Sequence, residues 1–276
     1  MIPALFVQRL TRLTATLFCG MVLIFLLLPL IAVVVSSFST SGALSFPPRG
    51  FTLHWYRNIS PGYLEAVKVS LIVAVGSTAV ATLAGFPAAL ALVRGTFPFR
   101  QLISTFCLSP LMVPTLVIGV AAFQFSVLLW DLAGVAFDGT LWGLIFAQSA
   151  FTLPFVIRSV IAAQAHFDGS LEEAAFSLGA RPAEVMRRVT LPLLLPGVIS
   201  GAIFAFVISF DDIAVPLFIG GGDVMTLPLK IYTSVEFNFD PDIMAVSALV
   251  NLASLILLIL VDRLTGLERI ATGSGR

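Results

Sequence analysis

The sequence predicts an all-α membrane protein with six transmembrane helices, and three observations predict it. The 276 residues are 58% hydrophobic and only 11% charged, with a mean hydropathy of +1.05. A soluble domain of that length needs far more polar surface than this. Six apolar runs approach or exceed the ~20 residues a helix needs to cross the hydrocarbon core; they cover about 13–35, 69–92, 102–129, 141–163, 196–219 and 244–261. Lipid offers no partner to backbone N–H and C=O groups, so such runs are helices and not open strands.

Taken in order, the first run is too long for the apolar core of a signal peptide and lacks a clear small-residue cleavage site, so it reads as a retained anchor. The loop after it holds Phe51-Thr52-Leu53-His54-Trp55-Tyr56, aromatic residues suited to a membrane interface. The second and third runs are joined by a short loop with Arg94 and Arg100. The fourth carries Arg158 close enough to its end to reach the interface. A polar island, residues 168–192, separates it from the fifth.

In the island, Ser170 and Glu173 have the spacing of a capping box. Leu171, Ala174, Ala175 and Leu178 recur at three and four residues, which makes a short apolar face. Gly179 supplies the positive φ that ends a helix. Pro182 starts a second short helix behind Arg181, a poor N-cap, and Leu191-Pro192 is expected to stop it. On residues alone the island is either an interfacial connector or a docking element for a partner's groove.

The fifth run begins with Gly197 and Gly201, a GxxxG pair that permits close helix packing. Its outer half contains Asp211 and Asp212. Carboxylates inside a span usually face a bundle interior or a wet cavity. They are candidates to line the path of a cationic solute; the other reading pairs them with a partner subunit or with outer water. Adjacent helical residues point ~100° apart, so at most one faces a pathway. Gln124, Gln148 and Asn251 read as interhelical hydrogen-bond partners. The last loop opens with the flexible turn Gly220-Gly221-Gly222-Asp223 and carries Lys230, Glu236, Asp240 and Asp242.

Orientation follows from the basic residues. Eleven fall in one set of loops: Arg9, Arg12, Arg94, Arg100, Arg158, Arg181, Arg187, Arg188, Arg263, Arg269 and Arg276. Four fall in the other: Arg49, Arg57, Lys68 and Lys230. The first set is cytoplasmic, which places both termini and the island inside. With 15 basic and 15 acidic residues the net charge is zero, so nothing points to nucleic acid. Cys19 and Cys107 lack metal or redox spacing, and no catalytic or metal cluster stands out around His54 or His166. Neither lysine lies in a Gly-Lys-Ser/Thr loop, which argues against ATP hydrolysis by that route.

Glu173-Ala174-Ala175, Gly179, Val189 and Leu191-Pro192 resemble the EAA loop of ABC importer permeases, Glu-Ala-Ala-x3-Gly-x9-Ile-x-Leu-Pro, with Val for Ile as the one change. Ser109-Pro110-Leu111-Met112-Val113-Pro114 with Gly119 is similar to their third-span motif. Phe210-Asp211-Asp212, Thr226–Tyr232 and Leu53–Tyr56 resemble the spermidine/putrescine branch. The resemblance implies the type I ABC importer permease fold in a single domain, 1–276, in the bacterial inner membrane. It implies a coupling helix built from Leu171, Glu172, Glu173, Ala174, Ala175, Leu178, Gly179, Ala180, Arg181, Val189, Leu191 and Pro192. The implied partners are two ATP-binding subunits that hold ATP and Mg, a second homologous permease, and a periplasmic solute-binding protein. That protein is expected on His54, Trp55, Tyr56, Asp223 and Lys230. No cofactor is expected in this chain, and the expected solute is a polyamine. Alternatives are an opine, an amino-acid derivative or an organophosphonate, or a self-sufficient secondary transporter or channel for a cation.

Overall fold

The computed structural model describes residues 4–41, 47–48, 50–165, 167–222, 224–237 and 242–265. Arg49, His166, Asp223, Asp240, Arg269 and Arg276 lie outside the described residues. Twelve α-helices are described: α1 (Ala4–Ser36), α2 (His54–Arg57), α3 (Pro61–Arg94), α4 (Arg100–Leu108), α5 (Thr115–Ala133), α6 (Leu141–Gln164), α7 (Ser170–Ser177), α8 (Pro182–Val185), α9 (Leu191–Asp211), α10 (Ala214–Ile219), α11 (Leu227–Phe237) and α12 (Asp242–Thr265). Among the described residues there is no β-strand, only two isolated bridges.

Five helical stretches among the described residues are long and apolar enough to cross a membrane: Thr11–Ser36, Pro61–Arg94, Thr115–Ala133, Leu141–Gln164 and Pro182–Asp211. In α12 the described apolar part, Asp242–Ile256, is shorter than that. The second span starts earlier than expected, so Lys68 is not in a loop but inside α3, paired with Glu65 at 2.9 Å. The third run is not one helix. Pro110 opens a 3-10 turn (Ser109–Met112), and Val113 is extended ahead of Pro114, a conformation forced on residues before proline. The span proper is α5. The fifth run is broken too: α9 ends at Asp211, Asp212 is extended (φ −71°, ψ 132°), and α10 starts afresh.

The helix that begins at Pro182 does not stop at Leu191-Pro192, contrary to the sequence reading. A wide π turn over Met186–Thr190 carries it into α9, and the Leu191 N–H bonds Met186 C=O, five residues back. Widening relieves the clash between a proline ring and the carbonyl four residues before it.

The chain forms two compact units. One is built from Met1–Pro61 and Ser234–Leu260, the other from Gly62–Thr233 and Val261–Arg276. In the first, Trp55 Nε1 donates to Ser39 C=O (2.9 Å), and the Tyr56 and Ser37 hydroxyls share a 2.6 Å hydrogen bond. In the same unit Asp242 accepts from the Ser60 amide at 3.0 Å.

The second unit is organised around α6, which is flanked by glycines. Gly85 of α3 presses on Val156, where an added Cβ would meet its side chain at 3.0 Å. On α9, Gly201 lies so close to Val156 that a Cβ would come within 2.9 Å of its Cα, and one at Gly197 would overlap Ala163. The GxxxG pair therefore does lie in a helix interface. Val156, Ile157, Val160, Ala81, Ala89 and Ala205 make one core cluster; Val73, Leu144, Ile145, Val215 and Ile219 make another. Gly119 of α5 sits against α10, with Ala214 C=O 2.8 Å from where its Cβ would be.

Candidate functional site

Two regions gather the residues singled out in the sequence. The first is the island. Its entry differs from the expected capping box: Ser170 is the first residue of α7, and its amide donates to the Asp168 carboxylate at 2.9 Å. That N–H, and then the Ser170 hydroxyl, hold the Asp168 carboxyl below its ordinary value. The exit is a Schellman motif. Gly179 at φ +83° lets its own N–H reach Phe176 C=O (2.9 Å) and the Ala180 N–H reach Ala175 C=O (3.1 Å). Arg181 is extended ahead of Pro182, and guanidinium has no acceptor to offer. The Glu184 carboxylate reaches back instead and accepts the Arg181 amide at 3.2 Å, half of a capping box.

The twelve coupling candidates are brought together on α7, the turn after it, and the run from α8 into α9. The apolar face read from the sequence is largely uncovered: Leu171 is 47% and Leu178 90% exposed, and Ala174 is exposed. Glu173, Gly179, Arg181, Leu191 and Pro192 are also exposed; Ala175, Ala180 and Val189 are half-buried. The two adjacent acids differ. Glu173 faces outward, while Glu172 turns inward, where Arg94 Nη1 donates to both its oxygens (2.9 and 3.1 Å) and the Thr190 hydroxyl donates to Oε1. Arg100 closes the end of α3 by donating to Leu92 and Val93 C=O. Sequence reasoning placed Arg94 only among the basic loop residues that set orientation, and it did not single out Thr190.

The second region is the break at Asp212. A cavity of about 530 Å³ opens there, lined by Thr115, Phe151, Val207, Asp211, Leu217 and Tyr232 among others. Asp211 is exposed beside it. Asp212 is only 9% exposed and is engaged: its oxygens accept from Val215 N–H (2.9 Å), Ala214 N–H (3.3 Å) and Gln148 Nε2 (3.3 Å). It thus caps α10 while tying it to α6. Gln148 Oε1 accepts from the Ser209 hydroxyl, which pairs with the Ser77 hydroxyl at 2.8 Å. This buried chain crosses α3, α9 and α6 and ends on the carboxylate. Gln148 is an interhelical partner as expected, whereas Gln124 is exposed on α5.

The expected docking residues fall in both units, His54, Trp55 and Tyr56 in the first and Lys230 in the second. Trp55 and Tyr56 are half-buried and spent on the internal bonds above. His54 is exposed and lines a depression of about 600 Å³ with Phe38, Thr52 and Arg57. Lys230 is half-buried, its ammonium 5.8 Å from the Tyr63 ring centre. Asp223 is outside the described residues. Among the described residues no group of His, Cys, Asp and Glu could hold a metal.

A family described as "Binding-protein-dependent transport system inner membrane component" matches residues 81–267. The spermidine/putrescine transport system permease protein PotC of Escherichia coli K12 is 33% identical over 237 residues, 85% of this chain and 87% of the relative. The putrescine transport system permease protein PotI of the same strain is 30% identical over 229 residues, 82% of this chain and 81% of the relative. Among solved structures, a bacterial ABC transporter that imports the acidic polysaccharide alginate aligns with a TM-score of 0.68 at 16% identity, covering 94% of this chain and 96% of that one. The chain belongs to the binding-protein-dependent transport system inner membrane component family, the permease subunits of ABC importers.

Proposed function

We propose that this permease carries a polyamine, spermidine or putrescine, inward through a pathway of which it forms half. A second homologous permease forms the other half, two ATP-binding subunits holding ATP and Mg drive it, and a periplasmic solute-binding protein delivers the solute. Both termini face the cytoplasm. This chain hydrolyses nothing itself. The observation that carries the reading is the island: a surface element with an uncovered apolar face, continuous through α8 and the wide turn with the membrane-spanning α9. A free-standing channel has no use for such a face, whereas a motor seated on it tilts α9 directly. The polyamine assignment rests on the likeness to PotC and PotI and on Asp211 beside an aromatic-bordered cavity, a setting suited to a protonated amine.

The test is uptake of labelled spermidine and putrescine into vesicles carrying the whole assembly. Saturable, ATP-dependent uptake is expected; uptake that follows an ion gradient and ignores ATP would contradict the proposal. Replacing both Glu173 and Gly179 by alanine removes the outward acid and strains a turn at φ +83°. The double variant is expected to reach the membrane in normal amount but to lose co-purification with the ATP-binding subunit, by about tenfold or more. Pull-down from detergent extracts measures it.

A further inference from the structure

We infer that Arg94, Glu172 and Thr190 form a latch that makes α7 move as one body with the end of α3 and the start of α9. The inference rests on the importer reading. Three ion pairs occur among the described residues, and two are local and exposed. Lys68–Glu65 is an i,i+3 pair with side chains 66% and 68% exposed; Arg188–Glu184 is an i,i+4 pair at 3.9 Å. Such pairs contribute little. Arg94–Glu172 is different. It joins residues 78 positions apart, and the side chains are 32% and 18% exposed. The guanidinium also lies 5.2 Å from the Phe167 ring centre, just ahead of α7.

Thr190 supplies the third point. It is 1% exposed and is the last residue of the wide turn leading into α9. Its hydroxyl donates to the oxygen of Glu172 that also accepts from Arg94. One carboxylate on α7 is therefore held at once by the end of α3 and by the root of α9. Without it, α7 is held by its flanking turns, of which the second contains Gly179, and by its packing on α8 and the wide turn. A push on the outward face of α7 would then be absorbed in those turns. With it, the push reaches two membrane-spanning helices together. Glu172 is thus a positioning residue: it faces away from the docking surface and acts through what it holds in place.

The experiment measures solute imported per ATP hydrolysed in the complete reconstituted assembly, normalised to assembled complex. Variants are E172Q, T190V, R94E and the charge-reversed R94E/E172R pair. E172Q is expected to lower the ratio about fivefold or more, the scale of an ordinary coupling free energy. T190V is expected to lower it less, and R94E/E172R to recover most of what R94E loses. A ratio unchanged in both E172Q and T190V overturns the latch. So does a loss explained wholly by poor assembly, with no recovery in the charge-reversed pair. An unmodified assembly that imports without ATP overturns the importer reading and the latch with it. ATP-driven import with indifferent variants overturns the latch alone.

Discussion

Gly201→Leu is expected to lower the melting midpoint of this protein sharply and to reduce the amount that accumulates folded in the membrane. In lipid, helices gain nothing from hiding apolar surface from one another, so association depends on close contact and dispersion. Gly201 provides that contact: even a methyl group would sit 2.9 Å from Val156 Cα and 3.1 Å from Ser159 Cβ. Backbone cannot rotate away as a side-chain tip can. Val156 is fully buried, and its other side is already pressed by Gly85 of α3, so α6 has nowhere to retreat. Overpacking of this kind costs roughly 1–3 kcal/mol; alanine should fall in that range and leucine above it. The matched control is Gly20→Leu in α1, where nothing lies within 4 Å of the new Cβ. Melting of the detergent-solubilised protein is expected to separate the two, with Gly20→Leu close to the parent. If Gly201→Leu melts with Gly20→Leu, the α6–α9 contact is not as described.

The same glycines show what could be read in the sequence. Composition and run length identify a helical membrane protein because lipid imposes a single requirement on every residue of a span. The breaks were hidden for the same reason. A hydropathy window passes straight over Pro110, Pro114 and Asp212, since the residues around them stay apolar. Pro110 and Pro114 were nonetheless visible as breakers, and the Ser109–Met112 turn shows that they should have outweighed the apolar average. The start of α7 differs from the expected capping box because Asp168 and Ser170 both have N-cap chemistry, and only geometry tells which oxygen meets which amide: Gly169 holds the cap position and the Asp168 carboxylate accepts from Ser170 N–H. The EAA loop was legible because its pattern is local. Arg94 and Thr190 were not: their partner lies 78 and 18 positions away, and no periodicity announces a contact of that kind.

Asp211 and Asp212 are expected to behave oppositely when each is replaced, although they are neighbours. Asp212→Ala strands the Ala214 and Val215 amides at the start of α10 and the Gln148 side-chain amide in the core. A buried donor left unpaired costs roughly 1–3 kcal/mol, and here several are stranded at one break. The thermal midpoint should drop sharply and uptake should vanish with it. Asp212→Asn should be milder. Its carbonyl oxygen can keep the place of the carboxylate oxygen that accepts from both Val215 N–H and Gln148 Nε2, so the chain through Ser209 to Ser77 keeps its direction. Its amide nitrogen takes the place of the other oxygen, and only the Ala214 N–H, bonded at 3.3 Å, loses its acceptor. Asp211→Asn strands nothing that is buried, so melting should match the parent. Uptake should nonetheless fall about tenfold or more, since a hydrogen bond to a charged group contributes roughly 1.5–3 kcal/mol. Measuring both melting and uptake on the three variants separates the roles expected of them: Asp212 in shaping the break, and Asp211 in meeting the proposed solute. Normal uptake in Asp211→Asn would remove that side chain from the pathway and leave the cavity wall to its aromatic and hydroxyl groups.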